Sequence, residues 1–401
     1  MKIAVWWNLR PGGARRALHD HLRGLSERGH EIHVVRPPVP SPEWMGPDAF
    51  AASVQEVPLP EFHGSGRGYL GRAFAEIQRV RGLVPAMETH CAEAGRRILD
   101  LRPDVLFAQT CWLMAAPSIV RHVGDLPRAV YLQEPKRSLY EADPTLPWVE
   151  VAGSASLPHR ARRRISLRAL ARQARLEREN ALAAGELLVN SRFSRESVRR
   201  DYGIDSTVAY FGVDTEMFSP ADLPRERFVL GVGALAPSKG VVEAVRACAE
   251  AKVRLVWVGP FEDEVYGPQV RALAKSLGAD VEWRIGIPDE ELIRLYRTCL
   301  TVLATAHLEP FGYTPIEAGA CGAPIVAIAQ GGFRETIVHG ENGLLTDDGP
   351  STAAALRRLA DDPKLAHRLG TAGRDHAVTR WSLDLATDRV ERALIRATSR
   401  G

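Results

Sequence analysis

The sequence has little lysine. Lysine and arginine together number 52, but only six of these residues are lysine, at positions 2, 136, 239, 252, 275 and 364. The 49 acidic residues nearly balance them, and the formal net charge is +3. So small a net charge gives no global signal for a nucleic-acid partner, and we predict none. Because lysine is scarce, a lysine within a candidate site is informative.

Long apolar segments are also lacking. No uninterrupted apolar run approaches the ~18 residues needed to span a bilayer, so membrane contact would have to be peripheral. The first residues run from Lys2 directly into the apolar stretch Ile3–Trp7. They lack the basic segment, long apolar segment and cleavage site of a leader peptide, so we predict a strand here. We therefore expect a cytoplasmic protein, in contact at most with the inner face of the membrane.

Cysteine is sparse as well. The five cysteines are odd in number, widely spaced and set within apolar or small-residue runs. This pattern predicts buried thiols of a reducing compartment and no metal or redox role.

The chain has 401 residues, of which 45% are hydrophobic, which is enough for two or three domains with substantial cores. Strand and helix patterns alternate along it and restart at Phe228, after a proline-bearing stretch at 219–224. We predict an α/β fold with an N-terminal doubly wound domain over 1–218 and a C-terminal one over 226–382. Since such domains bind ligands at the carboxyl ends of their strands, we expect an interdomain cleft for two substrates.

The segment 307–322 carries most of the chemical information. A strand ends before it, a loop carries Glu309, and we predict a helix over 315–320 that begins with Pro315 and carries Glu317 in its first turn. Helix N-termini bind phosphates, and carboxylates accept hydrogen bonds from sugar or ribose hydroxyls. On spacing alone, the alternative is that Glu317 complements the helix dipole and Glu309 is a solvated loop residue.

In this setting the Glu-x7-Glu spacing resembles that of retaining glycosyltransferases of family 4, whose GT-B fold has two Rossmann-like domains. The resemblance extends over nearly the whole chain and includes Gly12-Gly13, the segments 190–194 and 212–218, Lys239-Gly240, and the segments 286–292 and 331–335. It also implies that a C-terminal helix, about 383–401, returns to the first domain.

The resemblance implies roles for two groups of residues. Catalysis would involve Glu309 on the donor sugar, Lys239 on the departing diphosphate, and the position of Gln133 facing the sugar. The donor-binding residues would be Gly12, Gly13, Ser238, Arg284, Ile285, Phe311, Gly312, Tyr313, Thr314 and Glu317. Among them, Glu317 would bind the ribose, Arg284 and Ile285 would hold the base through backbone groups, and 311–314 would cradle the diphosphate.

The sequence departs from the family pattern at two of these places. Gly233-Ala234 replaces the usual Gly-Arg, which removes one guanidinium from the diphosphate site, and Ser238 or an N-domain arginine could compensate. At Gln133 many relatives carry histidine. Glutamine still forms hydrogen bonds but does not titrate near neutral pH.

These features predict a retaining enzyme that moves a hexose from a UDP- or GDP-sugar to a hydroxyl of a glycan, glycolipid or small natural product. We expect no cofactor and no metal, since no Asp-x-Asp motif accompanies the site and the histidines of His19-Asp20-His21 do not share a helix face. An inverting transferase or a sugar-nucleotide epimerase would need a titrating base. A non-catalytic GT-B subunit that binds nucleotide sugars is the alternative from another class.

The segment 159–179 is rich in arginine and has leucine and isoleucine between the charges. It predicts a basic helix that contacts an anionic membrane, binds an acidic acceptor or is simply solvated. The oligomeric state is not readable from the sequence.

Overall fold

The computed structural model describes residues 1–42, 44–62, 68–140 and 157–400. The chain forms two compact units. Unit 1 comprises Met1–Asn190, Ser194–Ala209 and Thr387–Gly401, and unit 2 comprises Ser191–Phe193 and Tyr210–Ala386. Residues 210–218, which we assigned to the N-terminal domain, lie in unit 2, where the Val213 amide donates a 2.7 Å hydrogen bond to the Trp381 carbonyl.

Unit 1 contains a seven-stranded parallel sheet in the order β3-β2-β1-β4-β5-β6-β7. Its strands are β1 (Lys2–Asn8), β2 (Glu31–Arg36), β3 (Ser53–Glu56), β4 (Val105–Cys111), β5 (Arg128–Gln133), β6 (Glu186–Val189) and β7 (Thr207–Val208). The helices along this part of the chain are α1 (Gly13–Glu27), α2 (Gly68–Asp100), α3 (Arg137–Tyr140), α4 (Leu157–Leu182) and α5 (Arg192–Tyr202).

The first βαβ unit forms as its apolar pattern predicts. Residues 3–7 of β1 are buried, as expected for a central parallel strand covered by helices on both faces. Helix α1 buries Leu18, Leu22 and Leu25, which recur at helical spacing. It ends before Gly29, whose φ of +81° terminates the helix in the left-handed conformation.

Unit 2 contains a six-stranded parallel sheet in the order β10-β9-β8-β11-β12-β13. Its strands are β8 (Phe228–Val232), β9 (Arg254–Gly259), β10 (Val281–Ile285), β11 (Thr301–Ala304), β12 (Ile325–Ile328) and β13 (Leu344–Thr346). The helices are α6 (Val241–Ala251), α7 (Tyr266–Ser276), α8 (Asp289–Thr298), α9 (Tyr313–Ala320), α10 (Phe333–Thr336), α11 (Gly349–Asp361) and α12 (Pro363–Arg380).

The last helix, α13 (Leu383–Arg400), begins in unit 2 and groups with unit 1 from Thr387 onward. Its Ala386, Val390, Ala393 and Leu394 are buried. Within unit 1, Glu391 accepts hydrogen bonds from Arg28 and from the His30 ring, the latter at 2.8 Å. The predicted return of the C-terminal helix to the first domain is therefore present.

All five cysteines are buried thiols without disulfides, as predicted. Burial raises the pKa of Cys111 to about 11 and the pKa values of Cys248, Cys299 and Cys321 to about 12, so these sulfurs stay protonated. No helix among the described residues is both long and apolar enough to cross a membrane.

The predicted basic helix corresponds to α4. The side chains of 159–167 lie outside the described residues. From 168 onward, Arg172 and Arg175 are exposed, whereas Gln173, Glu177 and Asn180 are buried. The second half of α4 therefore buries a polar face.

Candidate functional site

Strand order reverses direction once in unit 2. Strands β8 and β11 are neighbours, and the chain proceeds from β8 toward one edge of the sheet and from β11 toward the other. Loops that leave two such strands diverge and open a crevice at their carboxyl ends, where open parallel sheets bind ligands. The loops that follow these two strands, 233–240 and 305–312, carry the residues that the sequence singled out.

An ion pair joins the two loops. The Nζ of Lys239 lies 2.7 Å from Oε2 of Glu309, and the two side chains are 33% and 22% exposed. Lys239 ends a 3-10 turn, and its carbonyl accepts a 3.1 Å hydrogen bond from the Thr305 hydroxyl. The structure thus brings together two predicted catalytic residues that are 70 positions apart in the sequence.

The N-terminus of α9 lies on the same loop as Glu309. The helix begins at Tyr313, so our prediction of a start at Pro315 was wrong. Gly312, with φ +84°, lets the chain enter the helix two residues earlier. Pro315 then takes the third position, where its missing N–H has no intrahelical partner to lose. No acidic side chain occupies the first turn, which leaves this helix start suited to an anion.

Glu317 consequently lies in the second turn of α9 rather than the first. Its side chain is only 3% exposed, and its Oε2 accepts a 2.6 Å hydrogen bond from the hydroxyl of Tyr296 on α8. The two glutamates of the Glu-x7-Glu pair therefore have different environments. Glu309 is accessible and paired with a cation, whereas Glu317 is held inside the unit.

Aromatic side chains pack around the start of α9. Phe311 is 1% exposed and contacts Trp381 with ring centroids 5.6 Å apart. Tyr313 stacks on Phe211 at 5.2 Å. These contacts fix the backbone of 311–314, and because the Phe311 ring is buried, this residue can approach a ligand only through its backbone.

The remaining predicted donor residues of unit 2 follow β8 or end β10, and both strands lie on the same side of the crevice. Ser238 accepts a 3.1 Å hydrogen bond from the His307 amide through its carbonyl. Arg284 and Ile285 end β10, at the edge of the sheet. The Arg284 guanidinium donates 2.6 Å hydrogen bonds to Glu282 and Glu291, while Ile285 is 38% exposed.

A titrating pair beside this site was missed from the sequence. The Nε2 of His307 lies 3.4 Å from Oε1 of Glu243 on α6, and this hydrogen bond raises the pKa of the histidine. His307 precedes Glu309 by two residues, and that proximity was the available signal. The sequence analysis considered a titrating base only at the position of Gln133 and did not consider His307.

Unit 1 has a comparable reversal between β1 and β4. Gly12 follows β1 with φ +153°, and Gly13 begins α1. A Cβ built at Gly12 has no atom of the described residues within 4 Å, so the glycine is needed for its backbone conformation and leaves open space.

Gln133 ends β5, the strand beside β4. Its φ of +66° is a left-handed conformation that costs a non-glycine residue on the order of 1 kcal/mol or more. Its Nε2 is buried and has no hydrogen-bond partner among the described residues. A buried amide without a partner and a strained backbone at the carboxyl edge of a parallel sheet are typical of a position that meets a ligand.

The residues described include no group of three or more His, Cys, Asp or Glu side chains arranged as metal ligands. The expectation that no metal is required stays a prediction.

Solved structures resemble the whole chain. Sucrose-phosphate synthase from Thermosynechococcus elongatus superposes with a TM-score of 0.74 at 17% identity and covers 100% of both chains. Anabaena HepE, in complex with UDP-glucose, gives 0.69 at 19% identity over 98% of this chain and 99% of that one. Two parallel α/β units with this strand order define the class as the GT-B fold of glycosyltransferases.

The chain belongs to glycosyltransferase family 4. It matches the family model Glycosyltransferase Family 4 over residues 11–217 and the model Glycosyl transferases group 1 over residues 213–376. The family and fold that the motifs suggested are thereby confirmed.

Curated glycosyltransferases are similar in sequence to about half of the chain. D-inositol 3-phosphate glycosyltransferase of Acidothermus cellulolyticus is 38% identical over 192 residues, which cover 42% of this chain and 43% of that protein. GDP-mannose-dependent alpha-(1-6)-phosphatidylinositol monomannoside mannosyltransferase of Mycolicibacterium smegmatis is 31% identical over 222 residues, covering 48% and 57%. The chain thus spans about half the length of these relatives.

Proposed function

We propose that this chain is a retaining glycosyltransferase that moves a hexose from a nucleoside-diphosphate sugar to a hydroxyl acceptor. The observation that carries the proposal is the Lys239–Glu309 ion pair beside the uncapped N-terminus of α9, in a chain of family 4. The names of its relatives, one of them GDP-mannose-dependent, and of solved neighbours holding UDP or UDP-glucose support a UDP- or GDP-sugar donor.

The proposed chemistry depends on positioning and electrostatics. The Lys239 ammonium and the first N–H groups of α9 would stabilise the diphosphate as its bond to the sugar breaks. Glu309 would then exchange its contact with Lys239 for the hydroxyls of the donor sugar. The acceptor hydroxyl attacks from the face that the diphosphate leaves, and a leaving phosphate oxygen takes its proton, so the anomeric configuration is retained.

The remaining predicted residues have supporting roles in this scheme. Glu317 would accept hydrogen bonds from the ribose, and the backbone at 284–285 would hold the base. Gly12 and Gly13 would contact the donor phosphates through their backbone, and Gln133 would offer its buried amide to the sugar. The scheme needs no metal.

A donor screen tests the proposal. Purified protein is incubated with UDP-, GDP- and dTDP-sugars, and release of the nucleoside diphosphate is followed together with product mass. We expect slow hydrolysis of at least one donor, and loss of that activity by 100-fold or more in Glu309→Gln. Glu264→Gln, an exposed glutamate after β9, is the matched control and should match the wild type. Nucleotide binding without hydrolysis or transfer would instead identify a non-catalytic binding subunit.

The stereochemistry has a separate test. NMR of the glycoside formed distinguishes an axial from an equatorial anomeric bond, and a glycoside keeps its anomeric configuration in solution. Retention of the donor configuration is expected. Inversion would contradict the mechanism and would direct attention to His307 as a base.

We also propose peripheral contact of α4 with anionic membranes, supported by its exposed Arg172 and Arg175. Cosedimentation with anionic liposomes at low and physiological salt tests this. Binding that weakens as salt rises is expected, and absence of binding at both salt concentrations would contradict it.

A further inference from the structure

An arginine and a tryptophan stack on each other where the strand order of unit 1 reverses. The Cζ of Arg10, in the loop after β1, lies 3.8 Å from the ring centroid of Trp112, which follows β4. A guanidinium this close to an indole face is held by cation–π attraction. Neither residue was singled out from the sequence.

Hydrogen bonds to Asn8 hold Trp112 in place. Its Nε1 donates a 3.0 Å hydrogen bond to Oδ1 of Asn8, and its amide donates one of 3.0 Å to the Asn8 carbonyl. Asn8 is itself buried and donates to the Cys111 sulfur at 3.3 Å. Trp112 nevertheless remains 37% exposed, so its ring forms a rigid platform at the surface.

Among the residues that the structure describes, the guanidinium on this platform has no counterion. Arg10 is exposed, and no carboxylate of the described residues lies within 4.0 Å of it. By contrast Glu134, two strands away after β5, pairs with Arg137 at 2.9 Å. Stacking leaves the N–H edge of a guanidinium available in its plane, the geometry that binds phosphate or carboxylate with two parallel hydrogen bonds.

Two further groups at the carboxyl ends of these strands favour binding of an anion at this place. The Nζ of Lys136 donates to the carbonyl of Leu113, the residue after Trp112, at 3.1 Å, which brings a second cation to this loop. The Nε2 of Gln133, which has no partner within the described part of the chain, adds a neutral donor at the end of β5. Donors and positive charge therefore gather where unit 1 is expected to receive a substrate.

We propose that Arg10, preorganised on Trp112, binds an anionic oxygen group of the acceptor, so that the preferred acceptors are hydroxyl compounds bearing a phosphate or carboxylate. This inference rests on the proposed function for the identity of the site as the acceptor side. Arg10 acts as a specificity-determining residue, and Trp112 positions it.

Binding of inorganic phosphate provides the first test. Phosphate is titrated by calorimetry into protein saturated with UDP or GDP, whichever binds, so that the donor's own phosphate site is filled. We expect Arg10→Met to weaken phosphate binding by roughly 10- to 100-fold while nucleotide affinity stays within about twofold of the wild type. Arg10→Lys should be intermediate, since it keeps the charge and loses the planar fork.

Arg102→Met is the matched control. Arg102 is exposed in the loop that precedes β4, at the amino ends of the strands of the same sheet. Its replacement should leave phosphate binding unchanged. Trp112→Leu should weaken phosphate binding because the platform is lost. Phosphate binding that survives in Arg10→Met overturns the inference, and so does an equal loss of nucleotide affinity, which would assign Arg10 to the donor site.

Turnover distinguishes the sources of the anion. The soluble acceptors tested are glucose, glucose 6-phosphate and glucuronate. The lipid acceptors tested are phosphatidylcholine vesicles with and without phosphatidylinositol. An anionic acceptor should show a lower KM than glucose in the wild type, and that advantage should disappear in Arg10→Met. Equal KM values for glucose and the anionic acceptors in the wild type, or an anionic advantage that persists in Arg10→Met, would reject the inference while leaving the transferase function intact. Failure to bind or hydrolyse any donor would reject the function instead.

Discussion

Glu177 is the described carboxyl group whose surroundings oppose its charge most clearly. It is fully buried on α4, and burial raises its pKa to about 7. Gln173 donates to it at 2.8 Å and the Tyr202 hydroxyl at 3.4 Å, while the nearby charge of Lys136 lowers the pKa. Tyr140 and Cys111 also lie within its electrostatic reach, and both have raised pKa values.

Stability should therefore fall as the pH rises. The folded protein holds the Glu177 proton up to about pH 7, whereas an ordinary glutamate loses it near 4.5. Between these values the unfolded chain binds fewer protons, so raising the pH removes stability. At ~1.4 kcal/mol per pKa unit the loss is roughly 3 kcal/mol. Chemical denaturation of wild type and Glu177→Gln from pH 5 to pH 8 should show a shallower decline in the variant, and parallel curves would refute this.

Site residues could be predicted from the sequence where the residue type was rare or stood in a recognisable local pattern. Glu309 drew attention through its place on the loop before a helix start, whereas Lys239 was named by the family resemblance and gained weight from the scarcity of lysine. Arg10 and Trp112 escaped notice, because stacking depends on two strands meeting in the sheet, and neither local pattern carries that information.

At the scale of elements, the loop 233–240 is held by close backbone packing. Gly240 has φ +64°, and a Cβ at this position would lie 2.0 Å from the Thr305 carbonyl oxygen. The collision involves backbone on both sides, so the loop carrying Lys239 would have to move.

Two glycine substitutions distinguish the cost of a Cβ collision from the cost of left-handed backbone strain. Gly278, after α7, has a similar φ of +61° but open space around its Cβ among the described residues. Gly278→Ala should cost only about 1–2 kcal/mol of unfolding free energy from left-handed strain. Gly240→Ala should cost more and should also weaken nucleotide binding. Urea denaturation and nucleotide titration measure both effects, and equal costs with intact binding in the two variants would contradict the packing argument.

Element boundaries followed the sequence where local signals agreed. Helix α8 spans Asp289–Thr298, where a proline precedes it and three acidic residues fill its first turn. The start of α9 was misplaced because Pro315 is compatible with several first-turn positions. Gly312 decides between them through its φ of +84°, and a Cβ at this position would lie 2.6 Å from the Phe333 ring, a tertiary neighbour that the local sequence does not reveal.

At the scale of the whole molecule, the chain builds two parallel sheets and then returns to the first with α13. The alternation of strands and helices predicted both sheets, whereas the periodicity of the tail predicted a helix without its destination. That destination depends on tertiary contacts, such as the hydrogen bonds of Glu391 with Arg28 and His30 and of Arg396 with Glu186.

The returning helix should contribute to the stability of unit 1. Leu394 is fully buried, whereas its neighbour Ile395 is 48% exposed. Leu394→Ala should lower the unfolding free energy by about 2–5 kcal/mol, and Ile395→Ala by less than about 1 kcal/mol. Thermal and urea unfolding compare the two variants. Equal, small effects would show that α13 does not form part of the core of unit 1.

The central claim is that the crevice between β8 and β11 holds the diphosphate of the donor. Calorimetric titration of UDP and GDP into wild type, Lys239→Met and Lys275→Met tests it most directly, because Lys275 is an exposed lysine of α7 in the same unit. We predict that Lys239→Met weakens nucleotide binding by roughly 10- to 100-fold while Lys275→Met binds as the wild type does. Unchanged affinity in Lys239→Met would contradict the account.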